Sequence, residues 1–389
     1  MPRHFVMSIV GVWRLGQRLG NRSIHIHKGC LYAVSPGLKS SHKPPVLAKP
    51  ADNVLSSQSI PVEQLVLKPT TSVPKPSQRD VTTEDWIPEQ TEWKKLPNLY
   101  LKLSKHKLTA LVVLTTLSGA VMAPVPIDVS LLMWVSVGTG LCSASANTFN
   151  QWMEVPFDSQ MNRTKNRVFV RGLISPSHGV TFGVVAGLLG VSLLAIQVNM
   201  LTAAIGAGNI LLYSMVYTPM KRISIVNTWV GSVVGALPPI MGWTAFMGSI
   251  GSGGLIMAAI LYAWQFPHFN SLSWNHRGDY SRAGYQMMAV TNPGLCRRVA
   301  LRYCFATIPI CMMAPYCGLT TWWFAFDSLL VNSFLCYRGW QFYHNPNFQT
   351  SRRLFYFTLF HLPLLMAFLF LNKNSKKSED NDKRTLSPL

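Results

Sequence analysis

The stretch LTALVVLTTLSGAVMAPVP at 108–126, followed at once by VSLLMWVSVGTGLCSASANTF at 129–149, decides the fold class. Neither run contains Asp, Glu, Lys or Arg, and each is long enough to cross about 30 Å of hydrocarbon as a helix. Comparable runs stand near 178–197, 199–217, 227–247, 253–270, 299–318, 321–340 and 353–371. The pattern predicts an all-α polytopic membrane protein with about nine transmembrane helices. Composition agrees, since 49% of the 389 residues are hydrophobic and only 13% are charged, against about 25% in a soluble domain. An ordinary soluble enzyme is thereby excluded. The net charge of +20 would also suit a nucleic-acid binder. Such a protein spreads Lys and Arg over a polar surface rather than setting them between apolar runs, so membrane lipid and not nucleic acid is the expected surrounding.

The loops test the helix count independently, because Lys and Arg near helix ends accumulate on one side of the membrane. Arg163, Lys165, Arg167 and Arg171 follow the second run, and Lys221 and Arg222 the fourth. Arg277, Arg282, Arg297 and Arg298 follow the sixth, and Arg338, Arg352 and Arg353 the eighth. The intervening loops, around Val125, Val198, Ser249 and Thr320, carry none. Lys94 and Lys95 share the basic side, and the tail with Lys373, Lys376 and Lys377 is the exception.

Upstream the character differs. The first fifty residues contain no Asp or Glu but include Arg3, Arg14, Arg18, Arg22 and Lys28 among apolar side chains. That is the pattern of a mitochondrial transit peptide, expected over 1–35. A Pro-, Ser-, Thr- and Lys-rich stretch without helical period follows, read as a disordered or weakly ordered linker over 36–104. The membrane domain is then 105–372, with a polar tail at 373–389. With a transit peptide, the basic side is the matrix face of the mitochondrial inner membrane.

Only five acidic residues lie between 108 and 371: Asp128, Glu154, Asp158, Asp279 and Asp327. In NQWMEVPFD, residues 150–158, Asn150, Glu154 and Asp158 stand at i, i+4 and i+8, one face of a helix. Pro156 is expected to interrupt that helix. Asn275 and Asp279 repeat the spacing after the sixth run, with His268 seven residues upstream of Asn275. Oxygen ligands grouped in this way suit Mg²⁺ whose coordination is completed by substrate phosphates, and the surrounding Arg and Lys are what a diphosphate needs. Acids in basic loops also pair simply with Arg, and that reading stays open at this point.

Taken together, FNQWMEVPFDSQMNRTKNR (149–167), YTPMKR (217–222), NTWVGSVVGALPPIMGW (227–243) and WQFPHF (264–269), followed by Asp279 and Tyr280, resemble the UbiA-type intramembrane prenyltransferases. Within that family they are most similar to the heme O synthases. The resemblance covers roughly 105–345 and implies a UbiA-like helical bundle that transfers the farnesyl group of farnesyl diphosphate to a vinyl group of heme B. Water is added in the same reaction, giving heme O, a step toward heme A for cytochrome c oxidase. It also implies Mg²⁺ on Asn150, Glu154, Asp158 and Asp279, with Asn275 beside them. Arg163, Lys165, Lys221 and Arg222 fall to the diphosphate, supported by Asn166 and Arg167. His268 is a candidate heme ligand or proton acceptor, and Tyr217 and Tyr280 are candidate shields of a carbocation. Here Glu154 stands where the family has Asp, and Asn275 replaces an acid, so the site carries fewer carboxylates than the family pattern. A heme A synthase or a second copy of the chain is a further expected partner.

Two other functions compete. A transporter would place polar groups near mid-membrane in broken helices, whereas these acids cluster in loops on one side. A prenyltransferase with an aromatic, quinone-precursor acceptor differs only in the acceptor. The seven cysteines form no CxxC pair and read as buried thiols, and His178 and His276 read as structural.

Overall fold

The computed structural model of the protein describes residues 93–374. The expected transit peptide, Cys30, most of the expected linker and the tail beyond Asn374 lie outside the described residues. The described end of the linker region, 93–104, is helical: a 3₁₀ turn at Trp93–Lys95 leads into α1, Leu96–Leu103. The buried Leu96, Leu99 and Leu103 repeat at helical spacing, which explains why this short segment docks.

Nine long helical segments follow among the described residues. They are α2 (His106–Met122), α3 (Val129–Asp158), α4 (Pro176–Gln197), α5 (Met200–Leu211), α6 (Asn227–Met247), α7 (Ser252–Asn275), α10 (Pro293–Tyr316), α11 (Trp323–His344) and α12 (Phe348–Leu371). Two short helices, α8 (Arg277–Arg282) and α9 (Met288–Thr291), lie between α7 and α10. Side-chain caps fix many of the starts. Asp128 accepts from the amides of Ser130 and Leu131, Ser175 caps α4 with Pro176 behind it, and Asn199, Asn292 and Asn347 cap α5, α10 and α12. No strand occurs among the described residues.

The helices match the positions of the nine apolar runs, but six of them are long and apolar enough to cross a membrane: α3, α4, α5 with its continuation to Met220, α6, α10 and α12. Helix α2 is apolar but only 17 residues long. Polar residues set α7 and α11 apart, among them Gln265, His268 and Asn270 in the first and Asp327, Asn332 and Arg338 in the second. The expected count of nine spans is therefore not reached by this measure.

Several helices overrun their apolar runs on the basic side. Helix α3 continues through Pro156 to Asp158, contrary to the expected interruption. A proline in a last turn costs a single backbone hydrogen bond there, and the helix tolerates it. Helix α5 passes through a π-helical turn, Leu212–Tyr217, into Thr218–Met220. Pro219 has no amide to donate, and the Tyr213 carbonyl accepts both the amide of Thr218, the wide π-type bond, and its hydroxyl at 2.9 Å.

In the bundle α3 packs on α4, α2 on α6, α6 on α7, and α7 on α10 and α12. The α2–α6 contact brings backbone against backbone: a Cβ on Gly242 would stand 1.8 Å from the Thr116 carbonyl oxygen, and one on Gly119 2.0 Å from that of Pro239. Small residues at such crossings let membrane helices approach closely. On the side away from the basic loops, Lys373 donates to the carbonyls of Val121 and Ala123 at 2.8 and 2.7 Å, fastening the chain after α12 to the end of α2.

Candidate functional site

Because α3 runs unbroken to Asp158, Asn150, Glu154 and Asp158 lie on one helical face, all buried and all lining one cavity of about 450 Å³. Opposite them stand cations from three other segments. Arg167, in the loop after α3, donates to Glu154 Oε2 at 3.2 Å and also to Asp158. Lys221, just beyond Met220, donates to Glu154 Oε1 at 2.6 Å, and its ammonium lies 4.5 Å from the centre of the Tyr217 ring. The π-helical turn presents that ring, and Gly231 leaves the space it fills. Lys105 precedes α2 with φ 46°, a left-handed conformation, and donates to Asn150 Oδ1 at 2.7 Å.

The two lysines are pushed in opposite directions. Burial and then the nearby guanidinium of Arg167, with Lys221, hold Lys105 well below the usual lysine range, against the pull of Glu154 and Asp158. Burial acts most strongly against the charge on Lys221 too, but the touching carboxylate of Glu154, joined by Tyr217, Tyr213 and Tyr285, outweighs it, and its pKa stands well above the usual range.

The cavity has a polar end and an apolar body. Beyond the charged groups its walls are Val112, Cys142, Gly206, Ile210, Pro238 and Met241, from α2, α3, α5 and α6. His268 of α7 lines it too. The hydroxyl of Thr358 donates to the Phe355 carbonyl at 2.5 Å, so it accepts from His268 Nδ1 at 2.9 Å. That fixes the tautomer and leaves Nε2 with its lone pair. The imidazole is stacked on Trp264 at 4.5 Å between centroids.

The structure gathers some of the residues read from sequence and leaves others aside. Asn150, Glu154, Asp158, Arg163, Arg167, Tyr217, Lys221, His268 and Tyr280 line the cavity, with Arg163 donating to the Tyr280 hydroxyl at 3.2 Å. Asn275 does not: its carboxamide oxygen accepts from Ser351 at 2.5 Å, toward α12. Asp279 pairs with Arg282 on α8. The two share no continuous helix, because the chain turns at His276 between α7 and α8. Arg222 donates to the Ala283 carbonyl at 3.2 Å and covers the Phe157 ring, while Lys165 and Asn166 are exposed.

Lys105, Tyr213 and Tyr285 are lining residues that the sequence reading missed. Tyr213 stands four residues before Tyr217, a spacing that places both rings on one face and could have signalled it. Tyr285 carries a buried hydroxyl with no hydrogen-bond partner, and burial pushes its pKa up.

The donor set suits a hard cation. Asp158 Oδ1 is buried without a hydrogen-bond partner, and Glu154 and Asn150 line the same cavity. Among the described residues no group of three His, Cys, Asp or Glu side chains could hold a metal by itself. A metal here needs oxygens from its substrate.

The chain is similar over 299 residues to the mitochondrial protoheme IX farnesyltransferase of Homo sapiens, at 52% identity, covering 75% of this chain and 68% of that one. The protein of the same name from Yarrowia lipolytica is 37% identical over 366 residues, 87% of this chain and 77% of that one. Among solved structures, that of a digeranylgeranylglyceryl phosphate synthase superposes with a TM-score of 0.62 at 14% identity, over 73% of this chain and 99% of the other. An apo UbiA homolog from Aeropyrum pernix gives 0.57 at 13% identity, over 68% and 98%. At such identities these two speak for the fold alone. The sequence model of the UbiA prenyltransferase family matches residues 112–369, and the chain belongs to that family.

Proposed function

We propose that the protein transfers the farnesyl group of farnesyl diphosphate to a vinyl group of heme B with addition of water, the protoheme IX farnesyltransferase reaction that gives heme O. The observation that carries this is one cavity joining buried, paired acids and cations to an apolar body, the shape of a molecule with a diphosphate head and an isoprenoid tail. The names of relatives up to 52% identical support heme B as acceptor over a quinone precursor. Membership of a prenyltransferase family removes the ground for a transporter.

In this reading Glu154 and Asp158 hold Mg²⁺. Asn150 joins them if Lys105 moves to the diphosphate, and Asp279 joins only by giving up Arg282. The metal supplies positive charge where the leaving diphosphate gains negative charge. Lys221 and Arg167 now neutralise Glu154 and Asp158; with substrate bound, these cations and Lys105 and Arg163 face the diphosphate instead. Such preorganised charge favours rupture of the allylic C–O bond. The vinyl group attacks the resulting allylic carbon, water captures the cation left on the vinyl carbon, and one proton is released. Tyr217 and Tyr280 present π faces to positive charge. His268 Nε2 is free to ligate iron or take that proton.

The mitochondrial names of the relatives and the acid-free basic leader support a mitochondrial membrane. We place it as the inner one, with the basic loops toward the matrix. The test is incubation of membranes containing the full chain with heme B and farnesyl diphosphate, with Mg²⁺ or a chelator, followed by mass analysis of the hemes. A Mg²⁺-dependent farnesylated and hydrated heme is expected; folded protein that binds both substrates yet forms no product would overturn the reading.

A further inference from the structure

Around the start of α2 lies a second cavity, about 420 Å³. Six cationic or titratable basic side chains line it: Lys102, Lys105, His106, Lys107, Arg163 and Arg167. No Asp or Glu is among its lining residues. Of the six, Arg167 is already paired with Glu154 and Asp158 of the first cavity, where Glu154 also balances Lys221.

The backbone adds to the imbalance. The amino end of a helix carries partial positive charge and favours acidic neighbours. At α2 the flanking residue is Lys105, no side chain caps the helix, and His106 and Lys107 fill a first turn without an acid. The left-handed conformation of Lys105 is strained for a residue with a Cβ. It holds one lysine in the first cavity while Lys102 and Lys107 border the second. A helix start that lacks an acid and is flanked by these basic side chains offers a favourable place to an anion.

We propose that this second cavity is an anion site that receives the propionate carboxylates of heme B while a vinyl edge of the same porphyrin reaches the first cavity. The proposal rests on the farnesyltransferase reading above. The two cavities share Lys105, Leu108, Arg163 and Arg167, so one rigid ligand can touch both. The lack of carboxylates disfavours a Mg²⁺-bound diphosphate, which brings a cation needing oxygen ligands. Free carboxylates need only cations and hydrogen-bond donors, and Asn166 adds such a donor. Leu108, exposed on the same wall, gives the apolar macrocycle a surface.

The test uses the full chain in nanodiscs and the double variant Lys102→Gln/Lys107→Gln, with Lys102→Arg/Lys107→Arg as the charge-retaining control. Both lysines are exposed, so their loss leaves the packing intact. Heme B affinity is read from the Soret band and KM is measured for each substrate. Heme B dimethyl ester, whose propionates are neutralised, serves as a second probe. The Gln variant should bind heme B about fivefold to tenfold more weakly, with KM for farnesyl diphosphate unchanged and wild-type affinity in the Arg variant. The dimethyl ester should bind both forms equally and weakly. Unchanged heme affinity overturns the proposal. So does an effect confined to farnesyl diphosphate or to inhibition by inorganic diphosphate, which marks an exit site for the leaving group. An effect seen only with anionic lipid overturns it in favour of a headgroup site. Wild-type conversion of heme B to heme O is followed in the same series: its absence defeats the farnesyltransferase reading, whereas its presence with an indifferent Gln variant defeats only the second anion site.

Discussion

Lys105 donates to the side chain of Asn150 at 2.7 Å, so the ammonium is held in a buried site by a neutral carbonyl while Lys221 nearby rests on a carboxylate. With a carboxamide rather than a carboxylate as its partner, Lys105 presents no competing counter-ion to an incoming anion. Asn150→Asp supplies a counter-ion in place and should weaken farnesyl diphosphate binding about tenfold, measured by isothermal titration. Affinity at or above the wild-type level would remove Lys105 from the diphosphate site.

Asp158 offers an unpartnered buried oxygen beside Glu154. Asp158→Asn and Glu154→Gln should each lower turnover about 100-fold or more and raise the Mg²⁺ concentration needed for half-maximal rate. Each also breaks a buried ion pair, which costs about 3–5 kcal/mol, so a lower melting temperature with retained helical circular dichroism is expected. Near-normal rates in both variants would end the metal assignment.

His268 is oriented by Thr358 and by the Trp264 ring. His268→Ala should abolish the Soret shift on heme binding or cut turnover while leaving farnesyl diphosphate affinity intact. Thr358→Val, which removes only the orienting acceptor, should produce a smaller loss of the same kind. Equal effects on both substrates would point to general misfolding.

Between α2 and α6 there is no room for a methyl group at residue 242, where an added Cβ would lie 1.8 Å from the Thr116 oxygen. Gly242→Ala should therefore destabilise the bundle by about 1–3 kcal/mol or more, read as a lower melting temperature in detergent. Gly278→Ala, with open space around the added carbon, is the control and should change little.

His276, between α7 and α8, is depressed below its ordinary value of 6.5 by partial burial and then by Arg163, with Asp279 acting weakly in the other direction. The unfolded chain then binds more protons than the folded one between the two values, so stability rises with pH across that window. Acidification from about pH 6.5 downward should lower the melting temperature, and His276→Gln should flatten that dependence. An identical slope in the variant would assign the acid sensitivity elsewhere.

The long helices were legible because uninterrupted apolar runs admit few alternatives, and the polar face of α3 with Asn150, Glu154 and Asp158 because i, i+4, i+8 spacing maps directly onto a helix. The same spacing misled at Asn275 and Asp279, where the turn at His276 separates two helices; nothing in the local pattern marks it. Lys105 escaped notice for a different reason. It reaches the site because Gln151 donates to the carbonyls of Lys102 and Leu103, and Asn147 to that of Ser104. Contacts spanning more than forty positions leave no periodic trace. Tyr285 is similar, its loop held where the Gln286 amide meets the Lys221 carbonyl at 2.7 Å.

The fastening of Lys373 to Val121 and Ala123 also sets an order of events during synthesis. The carbonyls that end α2 emerge early, yet their partner lies 250 residues further along the chain. Throughout insertion that end of α2 remains open, and it closes only when the chain past α12 arrives. The end of α2 and the chain past α12 are thus completed together.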